Sequence, residues 1–139
     1  MRLAIARPSQ DVCVIHADGE VDLSTVAELD STLRRVQEDG HTNVVLDLWD
    51  VTFIDSVGIG VLLSARRRAE KGIAGFAVIA EPSGPVQNVF DLAGLTDSLS
   101  VFATRALAMS TLRSGPPAGL SSEQLERRTE ASVRENGNR

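Results

Sequence analysis

The segment Val44-Val45-Leu46-Asp47-Leu48 constrains the fold of this chain more than any other feature of its sequence. It is a short and nearly continuous apolar run. Such a run is typical of a strand that is covered on both faces, as in parallel or mixed sheets with helices packed against them. The segment therefore predicts a central strand of an α/β domain.

The segments around this run alternate between strand and helix patterns. Over residues 24–38, for example, four apolar residues recur at spacings of three and four, which is helical periodicity. This order predicts an α/β fold: a mixed sheet of 4–5 strands flanked by about four helices. The predicted strands are 3–6, 12–17, 44–48, 76–80 and 99–102, and the predicted helices are 24–38, 56–71, 85–93 and 104–112.

The ends of the first helix have recognisable signals. Gly19-Glu20 is expected to turn the chain before it. Thr25 and Glu28 match a capping box, and Asp22 or Ser24 could cap the helix instead. Gly40 is expected to end the helix, because glycine adopts the left-handed conformation at little cost.

The second helix is predicted to begin at Ser56, after a loop over residues 49–55. Its buried side is expected to consist of five apolar residues, and Gly72 supplies the stop. These five residues are Val57, Val61, Leu62, Ala65 and Ala69.

The composition changes after Arg113, which suggests one domain over residues 1–113 and a tail over 114–139. Ser114-Gly115-Pro116-Pro117 has the composition of a linker, and the remainder contains no aromatic residue. We expect the tail to be disordered, because it has too little apolar surface to offset the entropy of ordering. A frayed helix over 121–131 is the alternative.

Charge and composition argue against several classes of function. The formal net charge is −5 and aromatic residues make up only 4%, so the basic and aromatic features of a nucleic-acid interface are missing. No apolar run approaches the ~18 residues of a membrane span. A single cysteine, Cys13, fits a reducing cytoplasm, which is the expected location.

Ser56 is the most informative polar residue. It occupies the expected N-cap position of the second helix, where a serine hydroxyl is exposed at a turn of the chain. Gly58 and Gly60 follow it, and two poor helix formers in the first turns suggest that something approaches this helix closely. Phe53 and Ile54 place apolar surface nearby. The local pattern leaves two interpretations open: a simple cap with packing glycines, or a regulated hydroxyl that a partner recognises.

We do not expect an enzyme. A serine hydrolase would need a Gly-x-Ser-x-Gly elbow and a histidine base, but Ile54 occupies the position of the first glycine. His16 and His41, with Cys13, do not form a cluster that would bind a metal ion, so neither a metal nor a cofactor is expected.

Three segments together resemble the STAS-domain anti-sigma-factor antagonists of bacteria. GEVD at residues 19–22 resembles the turn before that family's first long helix. VVLDLWDVTFIDSVGIG at residues 44–60 resembles its central strand and phosphorylation motif. PVQNVFDLAGL at residues 85–95 resembles its third helix. The similarity covers roughly residues 10–113.

The resemblance implies a STAS-like fold and a switching cycle. The unphosphorylated domain would bind an anti-sigma factor that is also an ATP-dependent serine kinase with a histidine-kinase-like fold, and so release a sigma factor. Phosphorylation of Ser56 would end the binding, and a PP2C-type phosphatase would reverse it. The implied partner-binding residues surround Ser56: Asp22, Ser24, Phe53, Ile54, Asp55, Val57 and Gly58.

One departure from the family pattern lies beside the serine. Many members have a second hydroxyl residue where this chain has Val57, which leaves Ser56 as the only acceptor in the motif. The alternative function is a non-switching, STAS-like subunit of a transport or signalling assembly.

Overall fold

The computed structural model describes residues 1–113, which form a five-stranded sheet in the order β1-β2-β3-β4-β5. Strand β1 is antiparallel to β2, and the other three neighbouring pairs are parallel. The prediction of a mixed sheet of four to five strands with about four helices is confirmed. The strands are β1 Arg2–Ser9, β2 Val12–Val21, β3 Asn43–Ile54, β4 Phe76–Ile79 and β5 Val101–Phe102, and the helices are α1 Val26–Val36, α2 Ser56–Lys71, α3 Pro85–Leu92 and α4 Arg105–Arg113. The predicted tail, 114–139, lies outside the described residues.

The helices cover the two faces of the sheet unequally. Buried residues of α1, α2 and α3 pack on one face in a cluster that includes Val44 and Leu46 of β3. On the other face, α4 packs through Ala108 against a smaller cluster that includes Val45. Strand β3 is therefore covered on both faces, as its apolar run predicts. None of the helices among residues 1–113 is both long and apolar enough to cross a membrane.

Asp47 is the one charged residue in the apolar part of β3, and it is buried. Its Oδ2 atom accepts a hydrogen bond from Nε of Arg105 at 3.1 Å, at the start of α4, and Nη2 of the same guanidinium lies 3.1 Å from that oxygen. The ion pair therefore compensates for the burial of this carboxylate and ties α4 to the sheet.

Two predicted boundaries in the sheet are wrong. Gly19 and Glu20 do not turn the chain but continue β2, and most of the predicted loop 49–55 continues β3 to Ile54. Both strands extend because they pair with each other as far as Val21 and Ile54, with register irregularities on the way. Gly19 has φ of 115°, so it bends the strand without ending it.

The prediction of a capping box at the start of α1 is also wrong. Thr25 does occupy the N-cap, but its side chain makes no capping hydrogen bond. Its hydroxyl instead donates to the carbonyl of Glu20 at 2.8 Å and accepts from the backbone N–H of Asp22 at 3.0 Å. Gly40 has the expected left-handed conformation, with φ of 76°, but it does not end the helix, because α1 ends four residues earlier at Val36 with Gln37 as its C-cap.

Candidate functional site

The site forms where two neighbouring parallel strands end. Val21 of β2 pairs with Ile54 of β3, and the backbone N–H of Asp55 donates to the carbonyl of Val21 at 3.2 Å. The chain leaves these strand ends through Asp22 on one side and Asp55 on the other. The loop before α1 and the first turn of α2 are thereby held next to each other.

Asp55, not Ser56, is the N-cap of α2. Its Oδ1 atom accepts a hydrogen bond from the backbone N–H of Gly58 at 3.0 Å. Aspartate and serine are similarly good caps, and the aspartate stands one residue earlier, where the strand ends. Ser56 is thus the first helical residue, and it is exposed. The predicted position of the serine at the helix N-terminus is right, but its capping role is wrong.

Gly58 allows α2 to pack closely on the sheet. A Cβ added at this position would lie 2.8 Å from Cγ1 of Val21 and 2.8 Å from Cγ1 of Ile54. Gly58 is buried and Ile54 is only 3% exposed. These two predicted partner-binding residues therefore lie beneath the surface of the site, where they determine how closely α2 packs on the sheet.

Two exposed apolar residues lie close to Ser56 in the chain. Phe53 is 47% exposed and Val57 is 42% exposed, so both predicted contact residues are available to a partner. The prediction that Val57 belongs to the buried side of α2 is wrong. Val61 is partly buried and packs against the core, and the fully buried residues of the helix are Gly58, Leu62, Ala65 and Ala69.

Leu23 is a surface residue that the sequence reasoning missed. It is 76% exposed and lies between the predicted contact residues Asp22 and Ser24. Its position between two polar residues, just after a strand, is the sequence signal that could have indicated its exposure. We refer to Leu23, Phe53, Ser56 and Val57, with the polar Asp22 and Ser24, as the docking surface.

Hydrogen bonds fix the loop of the docking surface. Oδ1 of Asp22 accepts from the hydroxyl of Ser24 at 2.6 Å and from its backbone N–H at 2.9 Å. These hydrogen bonds, first that of the Ser24 hydroxyl, lower the pKa of Asp22 below its ordinary value. Asp22 is therefore a carboxylate at neutral pH, and it holds Leu23 between two fixed residues.

Two carboxylates, Asp22 and Asp55, directly follow the strand ends at the site. Residues 17–25 and 49–65 contain no lysine or arginine. They contain five carboxylates, of which Asp18 lies opposite Arg2 of β1 and Oδ2 of Asp50 lies 2.7 Å from Nε2 of His16. The site thus combines apolar surface, an exposed hydroxyl and negative charge.

The match to a family model defines the class of protein. The model of the STAS domain matches residues 4–108, so the chain belongs to the STAS domain family. The anti-sigma-F factor antagonist RsfB of Mycobacterium tuberculosis is 32% identical over 104 residues, which are 75% of this chain and 84% of that protein. Within the STAS family, the chain therefore belongs with the anti-sigma-factor antagonists.

Solved structures agree with this assignment. The crystal structure of an anti-sigma factor antagonist from Mycobacterium paratuberculosis superposes with a TM-score of 0.72 at 26% identity, covering 81% of this chain and 93% of that one. The Bacillus cell fate determinant SpoIIAA, solved in its phosphorylated form, has a TM-score of 0.62 at 22% identity, covering 78% of this chain and 97% of that one. The latter similarity shows the STAS fold alone.

Proposed function

We propose that this protein is an anti-sigma-factor antagonist that works by binding and is switched by phosphorylation of Ser56. One observation carries the proposal. In a chain of this family, Ser56 is exposed on the first turn of α2, with the exposed side chains of Phe53 and Val57 close to it in the chain. Aromatic side chains such as that of Phe53 are enriched in protein interfaces. Relatives named as anti-sigma-factor antagonists support the same function.

The switch follows from local electrostatics. A phosphate on Ser56 adds about −1.5 to −2 charges and three strong acceptors at neutral pH. The helix N-terminus favours this charge, so the domain stays folded. The carboxylates of Asp55 and Asp22 repel the phosphate. An apolar partner surface disfavours it as well, because binding would remove water from the charged group. Phosphorylation therefore turns an apolar surface into a dianionic one and releases the partner without refolding.

The partner of this cycle is an anti-sigma factor that is also a serine kinase. In the unphosphorylated state, the docking surface binds this kinase, and the sigma factor is released. The kinase then transfers the γ-phosphoryl group of ATP to the Ser56 oxygen, the hydroxyl proton leaves, and ADP remains. A PP2C-type phosphatase hydrolyses the phosphoserine and restores binding. In this proposal the protein is cytoplasmic and performs no catalysis.

Binding assays with substituted proteins test the proposal. Ser56→Ala should bind the kinase and resist release by ATP, whereas S56E should bind at least about tenfold more weakly, because like charges and an unpaired carboxylate are costly in an interface. Ser31→Glu adds the same charge at an exposed position of α1 and is the matched control. Equal affinities of S56A and S56E would contradict the switch and favour a non-switching STAS subunit.

A further inference from the structure

The structure explains why glycine occupies its position at all but one of the glycines of the domain. Among residues 1–113 there are eight glycines, and seven either have positive φ or would bring an added Cβ within about 3 Å of another atom. The exception is Gly60, whose added Cβ would have no atom beyond its own chain neighbourhood within 4 Å. The seven explained glycines are Gly19, Gly40, Gly58, Gly72, Gly75, Gly84 and Gly94.

Gly60 is unfavourable for the isolated domain. It lies inside α2, where glycine is a poorer helix former than alanine because it loses more backbone entropy on folding. At Gly58 the close contact with Val21 and Ile54 compensates for that loss. At Gly60, which is exposed, no contact within the described part of the chain does so.

Gly60 is continuous with the docking surface. It follows Ser56 by four residues and Val57 by three, and residues at these spacings are neighbours on one side of a helix. A side chain at position 60 would therefore project into the space that a molecule bound over Ser56 occupies. The missing side chain leaves the backbone of α2 open one turn beyond the serine.

We infer that the partner bound over Ser56 packs directly against the backbone of α2 at Gly60, and that the absence of a side chain there serves this contact. The inference rests on the proposed function and names the occupant as the anti-sigma-factor kinase. Its contacting segment is apolar where it meets Val57 and Gly60 and basic where it meets Asp22 and Asp55. Charge complementarity supports this, since Asp22 and Asp55 both lie at the strand ends beside Ser56, and residues 17–25 and 49–65 contain no lysine or arginine.

Substitution of Gly60 tests the inference with a partner kinase of the source genome. Gly60→Ala should weaken binding by about tenfold, and G60L by more, because a tightly packed contact cannot admit added volume. The urea midpoint of G60A should be equal to or higher than that of the wild type, so the loss cannot arise from unfolding. Ser31→Leu adds similar bulk at an exposed position of α1 and should bind like the wild type.

The outcomes separate this inference from the proposed function. Wild-type affinity in both G60A and G60L, together with weakened binding of S56E, would overturn the contact at Gly60 and leave the switch intact. Failure of every kinase to bind the wild-type chain would overturn the proposed function and this inference with it. A lower urea midpoint in G60A would also contradict the inference, because Gly60 would then serve the fold.

Discussion

Alanine at the two glycines of α2 should change stability in different ways, although the substitutions are chemically identical. Each adds one methyl group, and each gains about 1 kcal/mol of helix propensity. At Gly60 the methyl group has open space. At Gly58 it would lie 2.8 Å from Cγ1 atoms of both Val21 and Ile54, in a buried contact. Overpacking of this kind costs about 1–3 kcal/mol.

The propensity gain cancels when the two variants are compared, so their difference measures the steric cost alone. G60A should be more stable than G58A by about 1–3 kcal/mol. Urea titration of the full chain, followed by circular dichroism, measures this difference. In thermal unfolding, it should correspond to roughly 4 °C per kcal/mol for a domain of this size. Equal stabilities of the two variants would refute the account of how α2 packs on the ends of β2 and β3.

Three further predictions concern polar groups of the domain. Asp55→Ala should lower the free energy of unfolding by about 1 kcal/mol, because it removes the cap of α2, while D55N keeps an acceptor and should change little in urea titration; equal losses would contradict the capping role. Arg105→Ala should cost about 1–3 kcal/mol in the same assay, because buried Asp47 loses its charged donor, and a loss below about 0.5 kcal/mol would contradict this. Hydrogen bonds from the Thr42 hydroxyl and two backbone N–H groups lower the pKa of Asp39 from 3.8 to about 2. The ionised Asp39 therefore stabilises the fold above about pH 4, and this stabilisation is lost as the pH falls towards 2. Thr42→Val should reduce that acid-dependent loss in thermal unfolding between about pH 2 and 5, and an unchanged pH profile would contradict the assignment.

Much of the fold could be predicted because its signals are local. The apolar run at 44–48 indicates a strand that is buried on both faces, and the periodicity over 24–38 indicates a helix with one buried side. The lengths of β2 and β3 could not be predicted in this way, because their last residues are held by pairing with each other. Pairing between distant segments overrides the local turn signal of Gly19-Glu20.

The candidate site could be located from the sequence, but its geometry could not. Asp55 and Ser56 are both good capping residues, and only the end of β3 at Ile54 decides between them. The two glycines of α2 are alike in sequence, yet Gly58 contacts the sheet and Gly60 faces open space. Exposure of Leu23 likewise depends on how the loop before α1 leaves β2.

The most direct test of the switch is mass spectrometry after incubation with ATP and each candidate anti-sigma-factor kinase of the source genome. The intact mass counts the phosphates, and peptide analysis locates them. The account predicts one phosphate on Ser56 of the wild-type chain and none on S56A. A phosphate on another residue, or none with any kinase, would contradict Ser56 as the switch.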